Sequence, residues 1–361
     1  MGDEATAPGD DSGSVPEGLQ RDGLEAWFAA NASAVAPPLE FERIAGGLSN
    51  LTYRVEDAAG SSWVLRRPPL HGVLPSAHDM GREHRVISAL AGTPVPVPAA
   101  FGLCEDPAVT GAPFYVMGFV DGIVPRDEAT VAAGLDEPAR GAAAGSLVDA
   151  LVALHQVDPD QVGLGQLGRH HGYLERQLAR WQRQLEQTRT RPLPALDEVH
   201  RRLAANLPAQ AGPARIVHGD FRLDNVVLSP AGRFLAVLDW ELCTLGDPLA
   251  DLGLLQVYWA EPGDRMLPLG SAPTVMPGFP GRAAVAEAYA TLSGRDLSQL
   301  DTYVAFASWK LAVILEGVVA RHATGAYGEG DDSWRGFAEV VEQLADRALE
   351  LTGGADRRAP P

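Results

Sequence analysis

The texture of the chain changes near residue 120, and that change constrains the fold more than any other feature. From Leu39 to Phe119, apolar residues come in short runs punctuated by Gly, Asn and Asp, the pattern of antiparallel strands joined by turns. After about residue 125 they recur every three or four positions over long stretches, the period of helices packed on one face. Strands first and helices afterwards make an α+β chain with two segregated parts, not a series of βαβ units. At 361 residues the chain is long enough for both parts to bury a core.

In the first part, Phe41–Ile44, Leu51–Val55 and Trp63–Arg66 read as strands. The first two are joined by Gly46-Gly47-Leu48-Ser49-Asn50 and the next pair by Asp57-Ala58-Ala59-Gly60. A helix is expected from Ser76 to Leu90, stopped by Gly92 and Pro94, then strands at Ala99–Cys104 and Phe114–Phe119. Further on, helices are expected at 140–155, 173–188, 248–259, 282–292, 300–322 and 334–351. Short buried strands are expected at 215–217, 226–228 and 234–238. Residues 1–20 and 353–361 lack apolar periodicity and read as disordered tails. This leaves a small β-rich lobe over 21–120, a crossing near 117–123 and a larger helical lobe over 121–352.

Charge narrows the partners. A formal net charge of −18 argues against the basic surface that nucleic acids and anionic membranes require. An anionic substrate would need local cations, a metal or helix N-termini. Lys310 is the only lysine, so other cationic roles fall to arginine or metal. Cys104 and Cys243 make neither a disulfide scaffold nor a zinc site. No Lys/Arg-led apolar segment opens the chain, and the longest uncharged run, Val86 to Cys104, holds three prolines. A cytoplasmic protein is expected, with its oligomeric state left open.

The chemistry concentrates in His218-Gly219-Asp220-Phe221-Arg222-Leu223-Asp224-Asn225 and Leu238-Asp239-Trp240-Glu241. An Asp five residues before an Asn, then a second Asp fourteen residues later at a strand end, is the kinase order of catalytic Asp, metal-binding Asn and metal-binding Asp. Protein kinases differ: Gly219 stands where they have Arg, Asp-Trp-Glu replaces Asp-Phe-Gly, and no Ala-Pro-Glu follows. No Gly-x-x-x-x-Gly-Lys-Ser/Thr occurs, which excludes a P-loop kinase.

His-Gly-Asp-x-x-x-x-Asn with Leu-Asp-Trp-Glu resembles the aminoglycoside-phosphotransferase and choline-kinase superfamily. More closely, the chain is similar to phosphotransferase-like domains fused elsewhere to acyl-CoA dehydrogenases. Supporting segments are Gly46–Asn50, Val64–Pro69, Pro75–Met80, Tyr173–Leu178 and Leu245–Gly253. The resemblance spans residues 39 to 325 and implies a bilobal protein-kinase-like fold that uses ATP and Mg²⁺ to phosphorylate a hydroxyl on a small molecule. It implies that Asp220 handles the acceptor proton and that Asn225 and Asp239 hold the metal, with Glu241 assisting. It also implies that Gly47, Ser49 and Asn50 cover the phosphates and that Arg66, at the position of the usual strand lysine, holds them with Glu83 as its partner. Met117 to Phe119 would lie against the adenine, their backbone groups reading its edge. The implied acceptor is a hydroxyl on an acyl chain such as a hydroxyacyl-CoA, ahead of aminoglycosides.

Simpler readings stand beside these. His218 reads as a catalytic or metal-binding residue or, more simply, as a histidine bonding the loop backbone. Asp247, before Pro248, reads as a helix N-cap rather than a metal ligand, and Asp251 as a brace for the catalytic loop. His170 and His171, being adjacent, point apart and make a poor metal site. Tyr258, Trp259, Tyr303, Phe306 and Trp309 read as core or as the wall of an acceptor pocket. Two other functions compete: a kinase-like module that binds nucleotide without turnover, and a metal-dependent phosphohydrolase. The second would need Asp-x-His and Gly-Asn-His ligand motifs that the chain lacks.

Overall fold

Antiparallel pairing organises the first part of the chain. In the computed structural model, β1 (Glu40–Arg43), β2 (Leu51–Glu56), β3 (Ser62–Arg67), β4 (Ala100–Cys104) and β5 (Phe114–Gly118) form one sheet in the order β1-β2-β3-β5-β4. The structure describes residues 15–31, 35–44, 50–70, 79–210, 212–264, 271–323 and 336–353. The β2–β3 turn is built by Asp57, whose carboxylate accepts from the N–H groups of Ala59 and Ser61 at 3.0 and 2.8 Å, an Asx arrangement that fixes the register. All five strands agree with expectation to within a residue or two. The 46–49 part of the β1–β2 connection, with Gly47 and Ser49, lies outside the described residues.

Two described clusters compact separately. One runs to Ser88 and resumes over Pro98–Val120; the other comprises Ala89–Val97 and the chain from Asp121. Residues 89–97, expected in the first lobe, thus cluster with the second, where the Val237 N–H donates to the Pro96 carbonyl at 2.8 Å.

The first unit has a helix that periodicity did not reveal, α1 (Arg21–Asn31). It presents Leu24 and Phe28, both fully buried, to the sheet core of Tyr53, Val55, Leu65, Phe114 and Val116. Each such burial is worth roughly 1.5–3 kcal/mol. Trp27 meets Phe114 edge-on at 5.1 Å between ring centres. The expected disorder of residues 1–20 does not hold for 15–20: Leu19 is buried, the Tyr53 hydroxyl donates to the Glu17 carbonyl at 3.1 Å, and Arg67 donates to the Gly18 carbonyl. Val15 and Leu19, separated by Pro, Glu and Gly, are too few to set a period, so only the tertiary contact reveals this segment. Helix α2 (Met80–Leu90) follows β3; residues 76–78 of the expected helix lie outside the described ones.

The second unit is helical around two small two-stranded sheets. Its helices are α3 (Glu128–Gly134), α4 (Glu137–Gln156), α5 (Tyr173–Thr188), α6 (Pro194–Ala205), α7 (Pro248–Tyr258), α8 (Arg282–Ser293), α9 (Leu300–Ala323) and α10 (Phe337–Gly353). Its strands β6 (Arg215–Val217) and β9 (Thr244–Gly246) pair with each other, as do β7 (Val226–Leu228) and β8 (Phe234–Val237). Of the unexpected α3, α6 and β9, α3 and β9 are short and α6 has 12 residues; α3 starts at an Asp127 cap accepting from Thr130 N–H at 2.7 Å. Helix α9 packs against α5, α6, α7 and α10. It is long and apolar enough to cross a membrane, but 89 % of that stretch is buried inside the protein, so it is the core helix of this unit.

Candidate active site

In the first unit the geometry centres on Glu83. Arg66 on β3 stands opposite Tyr115 on β5. Arg66 Nη1 lies 3.5 Å from Glu83 Oε2, with the side chains 8 % and 1 % exposed. Asn50 Nδ2 donates to Glu83 Oε1 at 3.0 Å and the Tyr115 hydroxyl donates to Oε2 at 2.9 Å. Both carboxylate oxygens are therefore satisfied, which a buried charge requires. The sequence expected the Arg66–Glu83 pair and placed Asn50 on the phosphates; the structure ties Asn50 to the same carboxylate. Tyr115 was missed, because nothing in a run of buried strand residues distinguishes the one that faces a charge.

The stretch expected against the adenine differs in detail. Met117 is buried within β5. The N–H groups of Gly118 and Phe119 are committed to the Ala99 and Ser62 carbonyls at 2.8 and 3.3 Å. The expectation that backbone groups of 117–119 read an adenine edge is corrected for these two donors, which the sheet already uses. The Phe119 ring instead carries the Arg54 guanidinium, 4.7 Å from its centre.

In the second unit, the loop from β6 to β7 carries Asp220 and Asn225. Its backbone is gripped by Asp251, in the first turn of α7: the N–H groups of His218 and Gly219 donate to the two oxygens of that carboxylate at 2.7 and 2.9 Å. Asp251 in turn accepts from His155 Nε2 at 3.2 Å, and His155 Nδ1 accepts from the Tyr289 hydroxyl at 2.7 Å. Burial holds His155 below its usual pKa, so it is neutral and its tautomer follows from these two partners. Burial alone would raise the Asp251 carboxyl; bonds from His155 and the loop N–H groups outweigh it and leave its pKa below the ordinary value. The brace reading of Asp251 is what the geometry gives. Asp247 caps α7, accepting from Leu249 N–H at 3.1 Å and from the Tyr303 hydroxyl at 2.8 Å.

His218 is structural. Its Nε2 donates to the Leu238 carbonyl at 2.8 Å and its Nδ1 accepts from Asp220 N–H at 3.3 Å, so both ring nitrogens are used. Gly219 has φ +85°, and a Cβ there would lie 2.8 Å from the Leu242 carbonyl oxygen. That excludes the arginine that protein kinases carry at this point.

The Asn225 amide nitrogen donates to both the Asp220 carbonyl and Asp220 Oδ2, at 2.8 and 2.9 Å. The Asn225 carbonyl accepts from Leu238 N–H at 2.7 Å. This bond and that of His218 to Leu238 fasten the loop to the residue before Asp239. Asp239 is the only described non-glycine residue with positive φ, at 62°, a conformation that costs energy and recurs at functional sites. It opens a short 3-10 turn, Trp240–Leu242, without capping it; Glu241 lies within that turn. Among the described residues no group of three or more His, Cys, Asp or Glu has metal-binding geometry. His170 bonds the Gly165 carbonyl.

Two residues beside Asp220 were not assigned by the sequence. Arg222 Nε lies 3.4 Å from Asp220 Oδ2 and Nη1 lies 3.0 Å from Asp224 Oδ2. The Arg222 guanidinium sits over the Tyr258 ring at 4.7 Å. Lys310 on α9 donates to the Gly219 carbonyl at 3.3 Å. Burial pulls the lysine's pKa down, against the pull of Asp220 and Asp251. A lone lysine in an apolar helix was the available signal; Arg222 had none beyond its place in the motif. Trp259, Tyr303, Phe306 and Trp309 are core, and Tyr258 borders a cleft against which Trp259 also abuts.

A strand arginine held by a helix glutamate, and an Asp/Asn loop stitched to a strained Asp, define the class as kinase-like phosphotransferases with an α+β fold. The chain belongs to the phosphotransferase enzyme family, whose model matches residues 40–301. It is 36% identical over 325 residues to acyl-CoA dehydrogenase family member 11 of Gallus gallus, covering 88% of this chain and 41% of that one. The chain thus spans about two fifths of that relative. A solved structure of a candidate aminoglycoside phosphotransferase from Ralstonia eutropha is 32% identical, covers 93% of this chain and 98% of its own, and superposes with a TM-score of 0.79. The GDP and kanamycin complex of an APH(2'') enzyme, 16% identical, shares the fold, with a TM-score of 0.57 over 91% of this chain and 98% of its own.

Proposed function

We propose that the protein is an ATP- and Mg²⁺-dependent kinase that moves the γ-phosphoryl group to a hydroxyl of a small molecule, with a hydroxyacyl-CoA as the first acceptor to test. One observation carries the reading: the Asn225 amide nitrogen spends both its bonds on Asp220. That fixes the carboxylate for an incoming hydroxyl and leaves the amide oxygen as the atom for a cation.

Asp220 accepts the acceptor's proton as the hydroxyl attacks. Asn225 and Asp239 supply oxygen ligands, with Glu241 two residues further on. Magnesium takes one or two carboxylates together with phosphates and water, and this donor set fits that demand; when bound, it neutralises charge on the transferring group. Arg66, steadied by Glu83, presents a planar fork to the nucleotide phosphates in place of a lysine, with Gly47, Ser49 and Asn50 nearby in sequence. Because the transition state is loose, positioning and charge do most of the work. The acyl-CoA dehydrogenase names of the relatives support an acyl acceptor, and the GDP complex within the fold supports a nucleotide donor. A cytoplasmic location belongs to the same proposal, and cell fractionation tests it.

The test is a screen with γ-labelled ATP across hydroxyacyl-CoAs, choline-like alcohols, sugars and aminoglycosides. Label on a hydroxyl of the acyl chain is the expected result. Nucleotide binding with no transfer to any acceptor would overturn it in favour of a binding module.

A further inference from the structure

Helix α9 carries one charge where its packing asks for none. From Asp301 to Glu316 every intervening residue is uncharged except Lys310. Lys310 is half-buried, and Trp309 and Leu311 on either side of it are buried. The other permanent cations of the chain are all arginine. An ammonium in such a place gives up hydration, and burial pulls its pKa down. A methionine would pack the same stem without that cost. A charge retained against burial calls for a partner.

The partner is a single peptide group. Lys310 Nζ donates to the Gly219 carbonyl at 3.3 Å. The N–H of the same peptide, that of Asp220, donates to His218 Nδ1 at 3.3 Å. The peptide between Gly219 and Asp220 is thus held on both edges, and its plane sets the direction in which Asp220 leaves the chain. Gly219 has φ +85°, and a residue without Cβ leaves that plane the most freedom to turn. Asp251 holds the Gly219 N–H at 2.9 Å, one peptide earlier. On the helix side, the ammonium lies 5.6 Å from the centre of the Trp181 ring on α5, within range of a cation–π contact. Trp181 is itself fixed, its indole N–H donating to Gln177 at 3.1 Å. The Asp220 and Asp251 carboxylates attract the ammonium, and Arg180 repels it.

We propose that Lys310 is a positioning residue for phosphoryl transfer: its ammonium holds the Gly219–Asp220 peptide and so aims the Asp220 carboxylate at the acceptor hydroxyl. The proposal rests on the phosphotransferase reading and adds a residue 91 positions beyond Gly219, outside every motif of the sequence. Lys310 acts through the Gly219 carbonyl and takes no part in the bond changes. Its charge opposes packing and serves the loop. Replacing a buried charge by an apolar side chain of similar volume is often neutral or stabilising. Loss of the charge should therefore leave the fold as stable or more so while slowing the reaction, a pairing that a purely structural lysine does not produce.

The test compares the full chain with Lys310→Met, which keeps an unbranched stem, and Lys310→Arg, which keeps a cation. Turnover is followed by label transfer from γ-labelled ATP to the acceptor found in the screen above, and amide hydrogen exchange is followed across residues 218–225. Lys310→Met is expected to lower kcat roughly 10- to 100-fold, the scale of a reacting group misplaced by about 1 Å. The KM for Mg·ATP should not move, and the melting temperature should hold or rise. Exchange should quicken over 218–225 and stay unchanged in α4 and α10. Lys310→Arg should restore part of both the kcat and the exchange protection. Wild-type kcat in Lys310→Met overturns the proposal, and so does unchanged exchange at the loop. A lower melting temperature with faster exchange throughout the chain overturns it too, since the lysine would then be structural. The two readings fail separately. If the wild-type chain transfers label to no acceptor, the phosphotransferase reading falls, and loop exchange in Lys310→Met still decides whether Lys310 anchors the Gly219–Asp220 peptide.

Discussion

Glu83 in the sheet unit is 1 % exposed, whereas Asp220 in the helical unit keeps 28 % of its side chain in solvent. Around Glu83 every partner is buried and every oxygen is taken, by Arg66, Asn50 and Tyr115. Around Asp220 the loop is held by its backbone: Asp251 grips the N–H groups, and His218 and Asn225 reach carbonyls. One unit places its charge where it must be paired to be tolerated. The other fixes a loop with buried groups so that the carboxylate we propose as the proton acceptor can stay partly exposed. The first arrangement couples function to stability; the second separates them.

The largest effect should come where the two are separate. Asp220→Ala is expected to cut turnover by on the order of 10²–10⁴, the usual weight of a general base, with a nearly unchanged melting temperature. Asp239→Ala should lower turnover and also raise the KM for Mg·ATP. Steady-state kinetics beside thermal melts check both, and a variant at either position with near-normal turnover would break the comparison. Next in size, Glu83→Ala should destabilise the protein by about 3–5 kcal/mol, because Arg66 would be left buried without its counter-charge. Urea unfolding measures this; a large loss of activity at full stability would show that Glu83 is not a structural charge.

The smallest effect sharpens the picture of the loop brace. The folded pKa of His155 is depressed, so its contribution is complete above the unfolded value of ~6.5 and is lost as pH falls through that value and below. The Asp251 pKa is depressed as well, which extends the loss in the same direction below ~4. Stability should therefore decline on acidification, with a slope approaching about 1.4 kcal/mol per pH unit for each proton taken up. His155→Gln should flatten the part near ~6.5. Denaturant midpoints at stepped pH report it, and an unchanged slope in the variant would remove His155 from the brace.

Much of this was legible in the sequence because its causes are local or ordered. Strand alternation, helical period and the Asp57 turn act over a few residues, and they gave the sheet and the long helices. The spacing of Asp220, Asn225 and Asp239 is a motif whose order survives without coordinates. Helix α1 and residues 15–20 were not legible, since Leu19 and Tyr53 acquire meaning only on meeting. The membership of 89–97 in the second unit, and the use of the Phe119 N–H by Ser62, likewise depend on partners distant in the chain.

The sequence alone determined the α+β order, the family and the three residues expected at the reaction, because periodicity and motif spacing are written along one dimension. The tertiary structure alone decided that Tyr115 serves Glu83, that His155 and Asp251 hold the loop carrying Asp220, and that Arg222 joins a cleft to Asp220. Charge pairing and burial depend on distance in space, and residues 96 positions apart, such as His155 and Asp251, acquire a distance only when the chain has folded.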